Sequence, residues 1–295
     1  MKRRRRNRRL AVVVSLLVVA ALIGVVAYTA SLSGRGSVLD AMVTQPVAST
    51  DMTALLAASI QPYGPAPTTA MAATIHQPGG SPWSTARPEV LYIGGEFCMY
   101  CALQRWALVV ALSRFGNFSR LHYMTSGANE GDLATFTFVG SSYSSDYVMF
   151  RPYELEDRSN PPQALQTLPS NYTAVWNQYG HGFPFLDFGG TYVIAGSLLA
   201  DTSVLQGRNW TAIIGSIAAS DSGGSQIRQA ANLITALVCK LTQGSPSSVC
   251  GASPIDAAPA GIAGPIGDAL AATDAPEGQP ALSRGTVIQR SAKGP

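Results

Sequence analysis

The stretch that decides the fold is Pro88-Glu-Val-Leu-Tyr-Ile-Gly-Gly-Glu-Phe-Cys-Met-Tyr-Cys101. Residues 89–93 form a short apolar, β-favouring run between a proline and a glycine pair, as expected of a buried strand. A helix is predicted over residues 99–114, because apolar residues continue through it and Gly116 lies where a C-terminal cap belongs. Two cysteines with two residues between them therefore lie at the junction of a strand and a helix.

Further strands and helices alternate downstream. A strand is predicted at residues 121–125, and residues 135–139 and 147–150 flank a Gly/Ser-rich turn that predicts an inserted hairpin. Residues 183–188 and 191–195 surround a Gly-Gly pair and predict a second hairpin. Helices are predicted over residues 50–60, 170–179, 209–219 and 226–241. Asn209 is the predicted N-cap of the third of these helices. This order of elements favours an α/β domain.

The first cysteine pair has the spacing of a redox centre. At the start of a helix, free backbone amides and the helix dipole stabilise a thiolate, so Cys98 is predicted to be the nucleophile. Cys101 lies one helical turn later, where it can attack a mixed disulfide on Cys98 and resolve it. The alternatives are an inert disulfide, or half of a metal site that would recruit His122 or His181. We predict no metal site and no cofactor.

Three other residues are assigned to this centre. Pro184 precedes a strand downstream of the cysteines. Thioredoxin-like domains place a cis-proline at this position, beside the active sulfurs. The alternative is an ordinary trans-proline at the first residue of a strand. The backbone of Phe183 is predicted to pair with an extended substrate segment. Glu96 is a candidate proton relay, and the alternative for it is a solvated or structural acid.

The second cysteine pair calls for a different explanation. Cys239 ends an apolar helix, and Cys250 follows a Gly- and Ser-rich loop, so a disulfide between them would tie down the last helix. We predict a structural disulfide, with a second redox pair as the alternative. In a domain outside the cytoplasm, four cysteines suggest oxidised pairs.

The charge is concentrated at the N-terminus. The formal net charge is +3, yet 7 of the 20 basic residues fall in residues 2–9, leaving 13 basic against 17 acidic residues elsewhere. That acidic remainder carries no basic stripe and excludes nucleic acid as a partner. Residues 10–30 carry no charge and are long enough to span a bilayer, with the arginines held in the cytoplasm. A cleaved signal peptide is the alternative.

These features divide the chain into five segments. They are a cytoplasmic basic segment (1–9), a transmembrane signal-anchor (10–30), a linker (31–42), the domain with both cysteine pairs (43–250), and an Ala/Pro/Gly-rich disordered tail (251–295). The predicted location is the cell membrane, with one span and the domain outside.

Several stretches resemble one known family. Residues 88–116 and 183–196, Leu205-Gln-Gly207 and the ending between Cys239 and Cys250 are similar to a thioredoxin-like bacterial and archaeal family catalogued as domain of unknown function 929. The resemblance implies a thioredoxin-like fold and no established activity. Many members have proline after the first cysteine, where this chain has Met99. We therefore expect an α/β, thioredoxin-like fold with an inserted hairpin, preceded by one transmembrane helix.

Three functions follow from these observations, of which the third is metal delivery by the Cys98 and Cys101 thiolates. The first is a membrane-anchored thiol-disulfide oxidoreductase that acts on the thiols or disulfides of exported proteins and exchanges electrons with a membrane redox partner. The second is a non-catalytic envelope module that binds proteins and keeps both cysteine pairs as permanent disulfides. The neutral Met99-Tyr100 spacer leaves the direction of electron flow open.

Overall fold

The structure is a computed structural model that describes residues 43–60, 64–78 and 87–255. The predicted basic segment, membrane span and linker lie outside the described residues, as does the predicted tail from residue 256 onward. Among the described residues, no helix is long and apolar enough to cross a membrane. The anchor at residues 10–30 stays a prediction.

The fold is built around one fully buried strand, β2 (Glu89–Gly94). Its apolar residues fill both faces of a mixed sheet, which explains why they form a continuous run instead of alternating with polar ones. The sheet has five strands, in the order β1 (Ile75–His76), β9 (Tyr192–Ala195), β8 (Phe185–Phe188), β2 and β7 (Met149–Glu154). Strand β2 pairs in parallel with β7 and antiparallel with β8. The outer strands on the β8 side are β9 and the short β1.

Two small antiparallel sheets accompany the main one. Strand β3 (Gly116–Ser119) pairs with β6 (Ser142–Ser145), and β4 (His122–Thr125) pairs with β5 (Ala134–Thr137). The predicted hairpin around the glycine pair is confirmed, because β8 and β9 pair antiparallel across it. The helices are α1 (Ser49–Ile60), α2 (Thr69–Ala72), α3 (Met99–Leu112), α4 (Ser170–Asn177), α5 (Trp210–Ala219), α6 (Ser222–Leu241) and α7 (Ser247–Cys250).

The fold-class prediction is wrong in its arrangement of strands. Residues 135–139 and 147–150 do not form an inserted hairpin, because the chain between them contains β6, which pairs back to β3. Strand β5 then pairs with β4, while β7 joins the main sheet beside β2 over six residue pairs. The predicted α/β, thioredoxin-like fold with an inserted hairpin is therefore wrong, and the structure shows a mixed α/β fold with a mixed sheet.

The two faces of the main sheet are covered by different helices. On one face, Val90 and Tyr92 belong to the large core that contains α3 and α6. On the other face, Leu91 and Ile93 belong to a smaller cluster that packs against α4. The large core also includes Ile255, so the packed chain continues five residues past the predicted boundary at 250.

Helices α5 and α6 approach each other closely at Gly224. A Cβ added there would overlap the backbone carbonyl of Ser216, whereas at Gly223 the nearest atom would be the Ser216 hydroxyl at 3.5 Å, an ordinary contact. We expect Gly224→Ala to lower the free energy of unfolding by about 1–3 kcal/mol, because the helices must separate. The matched control Gly223→Ala should be neutral or stabilising, since alanine favours helix by up to about 1 kcal/mol. Urea unfolding of both variants checks this, and equal effects would contradict the close approach.

Candidate redox site

The site lies at the carboxyl end of β2. Because β7 runs parallel to β2, the chain that follows Glu154 lies beside the chain that follows Gly94. Because β8 runs antiparallel, it begins at the same end: Phe185 pairs with Ile93, which brings the preceding Pro184 to this edge. The topology therefore brings the cysteine loop and Pro184, which are far apart in sequence, to one end of the sheet.

Two further loops are tied to the cysteine loop by backbone hydrogen bonds. The N–H of Gly127, in the loop between β4 and β5, donates to the Phe97 carbonyl at 2.8 Å. The N–H of Glu96 donates to the carbonyl of Glu156, after β7, also at 2.8 Å. These bonds fix the residues directly before Cys98 from both sides.

Cys98 is the N-cap of α3. Its backbone is extended (φ −73°, ψ 125°), and its Sγ accepts a hydrogen bond from the backbone N–H of Cys101 at 3.2 Å. Serine, threonine and aspartate usually fill this position, and here a sulfur takes the place of their oxygen. Cys98 is 7% exposed and Cys101 is completely buried. Both are free thiols.

The two thiols are made chemically different by their surroundings. A hydrogen bond from the Cys101 side chain lowers the pKa of Cys98, and backbone amides and the Arg105 charge lower it further against the effect of burial. Burial raises the pKa of Cys101 well above its ordinary value, and the hydrogen bond and charge of Cys98 add to this. Cys98 is thus the more acidic thiol of the pair and Cys101 the less acidic one.

A buried ion pair lies beneath the cysteines. Arg105, one turn after Cys101, donates from Nε and Nη2 to the two oxygens of Glu154 at 2.8 and 2.7 Å. Its Nη2 also donates to the carbonyl of Gly95 at 2.8 Å. Both side chains of the pair are completely buried. Arg105 therefore links α3, β7 and the turn that leads into Cys98.

The charge state of this pair follows from its geometry. Burial raises the pKa of Glu154 and the Arg105 charge opposes that shift, while two parallel hydrogen bonds are the pattern of a guanidinium with an ionised carboxylate. The guanidinium carbon lies 6.0 Å from the centre of the Tyr92 ring. Among the described residues, Arg105 Nη1 and the Tyr92 hydroxyl have no hydrogen-bond partner. In the described part of the chain, two buried polar atoms near the ion pair therefore remain without a hydrogen bond.

Residues 82–240 match the model of a family described as Domain of unknown function (DUF929). The chain belongs to DUF929. No curated protein and no solved structure matches the chain significantly. The matched residues contain both cysteines, Arg105, Glu154 and Pro184, so the whole site lies inside the DUF929 domain.

An aromatic cluster borders the DUF929 site next to Cys98. The peptide bond between Phe183 and Pro184 is cis. The Phe183 ring lies edge-on to Phe97, with centroids 6.3 Å apart, and stacks on Trp176 at 5.4 Å. These three rings are half-buried, whereas Pro184 is buried. The half-exposed rings give the site an apolar rim.

Glu96, the predicted proton relay, is hydrogen-bonded to a residue of β5. The Glu96 carboxylate accepts a hydrogen bond from the Thr137 hydroxyl at 2.6 Å. This bond ties the cysteine loop to β5, and the relay role stays a prediction.

The second cysteine pair is a disulfide in the DUF929 chain. It joins Cys239, near the end of α6, to Cys250 at the end of α7, with the Cα atoms 5.5 Å apart. Closing a loop of this length stabilises a fold by roughly 2–4 kcal/mol. Among the described residues, no group of three or more His, Cys, Asp or Glu side chains is placed to hold a metal ion. His122 lies in β4, and His181 packs against the Trp176 ring.

Sequence reasoning missed three residues near the cysteines: Tyr92, Glu154, and Glu130, whose Oε2 accepts a hydrogen bond from the Met99 N–H at the start of α3. One signal was present, since Arg105 is the only charged residue in α3, and a lone charge in an apolar helix calls for a buried counter-ion. The choice of Glu154 among the carboxylates depended on the unpredicted pairing of β7 with β2. Nothing in the sequence pointed to Glu130.

Proposed function

We propose that this DUF929 protein is a thiol-disulfide oxidoreductase that acts on exported proteins. The observation that carries the proposal is the asymmetry of the two thiols: Cys98 caps a helix and has a lowered pKa, whereas Cys101 is buried with a raised one. Low-pKa cysteines of this kind are typical of reactive sites, and buried structural cysteines are inert.

The reaction is a pair of exchange steps. The Cys98 thiolate attacks one sulfur of a substrate disulfide, forming a mixed disulfide and releasing the other substrate sulfur as a thiolate, which takes up a proton. Cys101 then loses its proton and attacks Cys98, releasing the second substrate thiol and leaving a Cys98–Cys101 disulfide. Two electrons have passed from the protein to the substrate, and the same steps run in reverse when the substrate is a dithiol.

Each element of the site has a role in these steps. Amides at the start of α3 stabilise the attacking thiolate, and the positive charge of Arg105 opposes the rise of the Cys101 pKa. The backbone of Phe183 pairs with an extended substrate segment, and the aromatic rim contacts its apolar side chains.

The cellular setting is part of the proposal. A structural disulfide such as Cys239–Cys250 persists in oxidising compartments, which supports a domain outside the cytoplasm. The apolar residues 10–30 would keep the protein at the cell membrane, where a membrane redox partner restores the cysteine pair.

Serine variants of the full-length protein test the proposal in an insulin disulfide reduction assay. We expect Cys98→Ser to reduce turnover to background, because the attacking sulfur is gone. Cys101→Ser should still attack but not resolve, so a mixed disulfide should accumulate and be visible by mass spectrometry. Full turnover in Cys98→Ser would contradict the assignment of Cys98 as the nucleophile, and a wild-type protein without turnover would favour the non-catalytic binding module.

A further inference from the structure

The backbone amides at the start of α3 are shared between a sulfur and a carboxylate. The N–H of Cys101 donates to Cys98 Sγ, whereas the N–H of Met99, the first residue of the helix, donates to Glu130 Oε2 at 3.4 Å. A second anionic side chain is therefore held at the same helix terminus that stabilises the Cys98 thiolate.

The position of Glu130 is fixed by the loop that carries it. Ala128–Glu130 form a single 3-10 turn, in which the N–H of Glu130 donates to the Gly127 carbonyl at 2.8 Å. The Ser126 hydroxyl donates to the Glu130 carbonyl at 2.9 Å. Because the Gly127 N–H donates to the Phe97 carbonyl, the loop that carries Glu130 is tied to the cysteine loop. The Glu130 side chain is half-buried.

We propose that Glu130 is a positioning residue that sets the redox poise of the Cys98/Cys101 pair toward electron donation. Two like charges at one helix terminus repel each other, so the carboxylate makes the reduced, thiolate form less stable. Destabilising the reduced form lowers the reduction potential of the pair. The DUF929 protein would then reduce or reshuffle disulfides in exported proteins. This inference rests on the proposed function and supplies its direction.

The other nearby charges act from different positions. Arg105 lowers the pKa of Cys98 from within α3, where it is hydrogen-bonded to Glu154, and a substitution at Glu130 leaves both groups of this pair in place. Asp132, in the same loop, is bonded to Arg158 at 3.1 Å and accepts from the Thr125 hydroxyl. Glu130 is thus the carboxylate that the structure bonds to the start of α3.

The variant Glu130→Gln keeps an acceptor for the Met99 amide and removes the charge. Charges near a helix terminus contribute about 0.3–1 kcal/mol, which corresponds to about a two- to fivefold change in equilibrium constant. In the full-length variant, the equilibrium constant for exchange with glutathione should shift by that factor toward the reduced protein. This factor corresponds to a rise of about 10–20 mV in the reduction potential of the cysteine pair. The Cys98 alkylation profile should shift to lower pH by about 0.3–0.7 unit.

Asp132→Asn is the matched control, because it removes the same charge from the same loop without touching the helix terminus. It should leave both measurements at the wild-type values, and thermal unfolding should confirm that both variants are folded. Unchanged equilibrium and alkylation in Glu130→Gln, with a wild-type pair that exchanges with glutathione, would overturn the inference alone. A wild-type pair that does not exchange at all would overturn the proposed function and the redox poise with it.

Discussion

Replacing Arg105 with methionine is expected to lower the free energy of unfolding by about 3–5 kcal/mol. The substitution leaves the Glu154 carboxylate completely buried with no counter-charge, and it also removes the donor to the Gly95 carbonyl. Burying an unpaired charge is among the largest single costs that a folded protein can bear. Urea unfolding of the full-length protein, followed by circular dichroism, measures the effect.

The double variant Arg105→Met, Glu154→Leu separates the cost of the unpaired charge from the loss of packing. With both charges gone, apolar side chains of similar size fill the space, and most of the lost stability should return. If the double variant were as unstable as the single one, the ion pair would not be the source of the effect. The glutathione equilibrium of the folded double variant then reports what Arg105 does for the thiols.

Iodoacetamide is expected to modify Cys98 at least about tenfold faster than Cys101 at neutral pH, because each unit of pKa separation changes the thiolate fraction about tenfold. The hydrogen bond from Cys101 lowers the Cys98 pKa, and burial raises that of Cys101. Modification of Cys98 should accelerate as pH rises through its pKa and level off above it, with a midpoint below the ordinary thiol value of about 8.5. Peptide mass spectrometry assigns the modified residue.

The same experiment contains its own control. Cys239 and Cys250 are joined in a disulfide and should remain unmodified until a reductant is added. Faster modification of Cys101 than of Cys98 would contradict the assignment of the nucleophile.

Local features of this chain could be predicted from the sequence. The strand before Cys98, the helix after it and the β8–β9 hairpin are each set by residues that are neighbours along the chain. Asn209 caps α5 as predicted, accepting from the Ala212 N–H at 2.9 Å. In each case a turn, a cap or a continuous apolar run specifies the element without reference to distant residues.

Pairings between distant segments could not be predicted. The run that became β7 is as apolar as the one that became β5, so the pattern alone could not decide which would join β2. The charged neighbours of the cysteines also come from distant parts of the chain. Glu154 is 49 residues from its partner Arg105 in sequence, and Glu130 is 31 residues from Met99. The sequence predicts the candidate reactive residues, whereas their charged neighbours are brought in by tertiary structure.

The bonds of Arg105 also limit how this family can diverge. One guanidinium holds the buried Glu154 and the turn before Cys98, so we expect a change at either end of the ion pair to disturb both the folding and the cysteine loop. A lineage that lost only one partner would pass through an unstable intermediate. We therefore expect relatives that keep the two cysteines to retain both partners or to have exchanged them together.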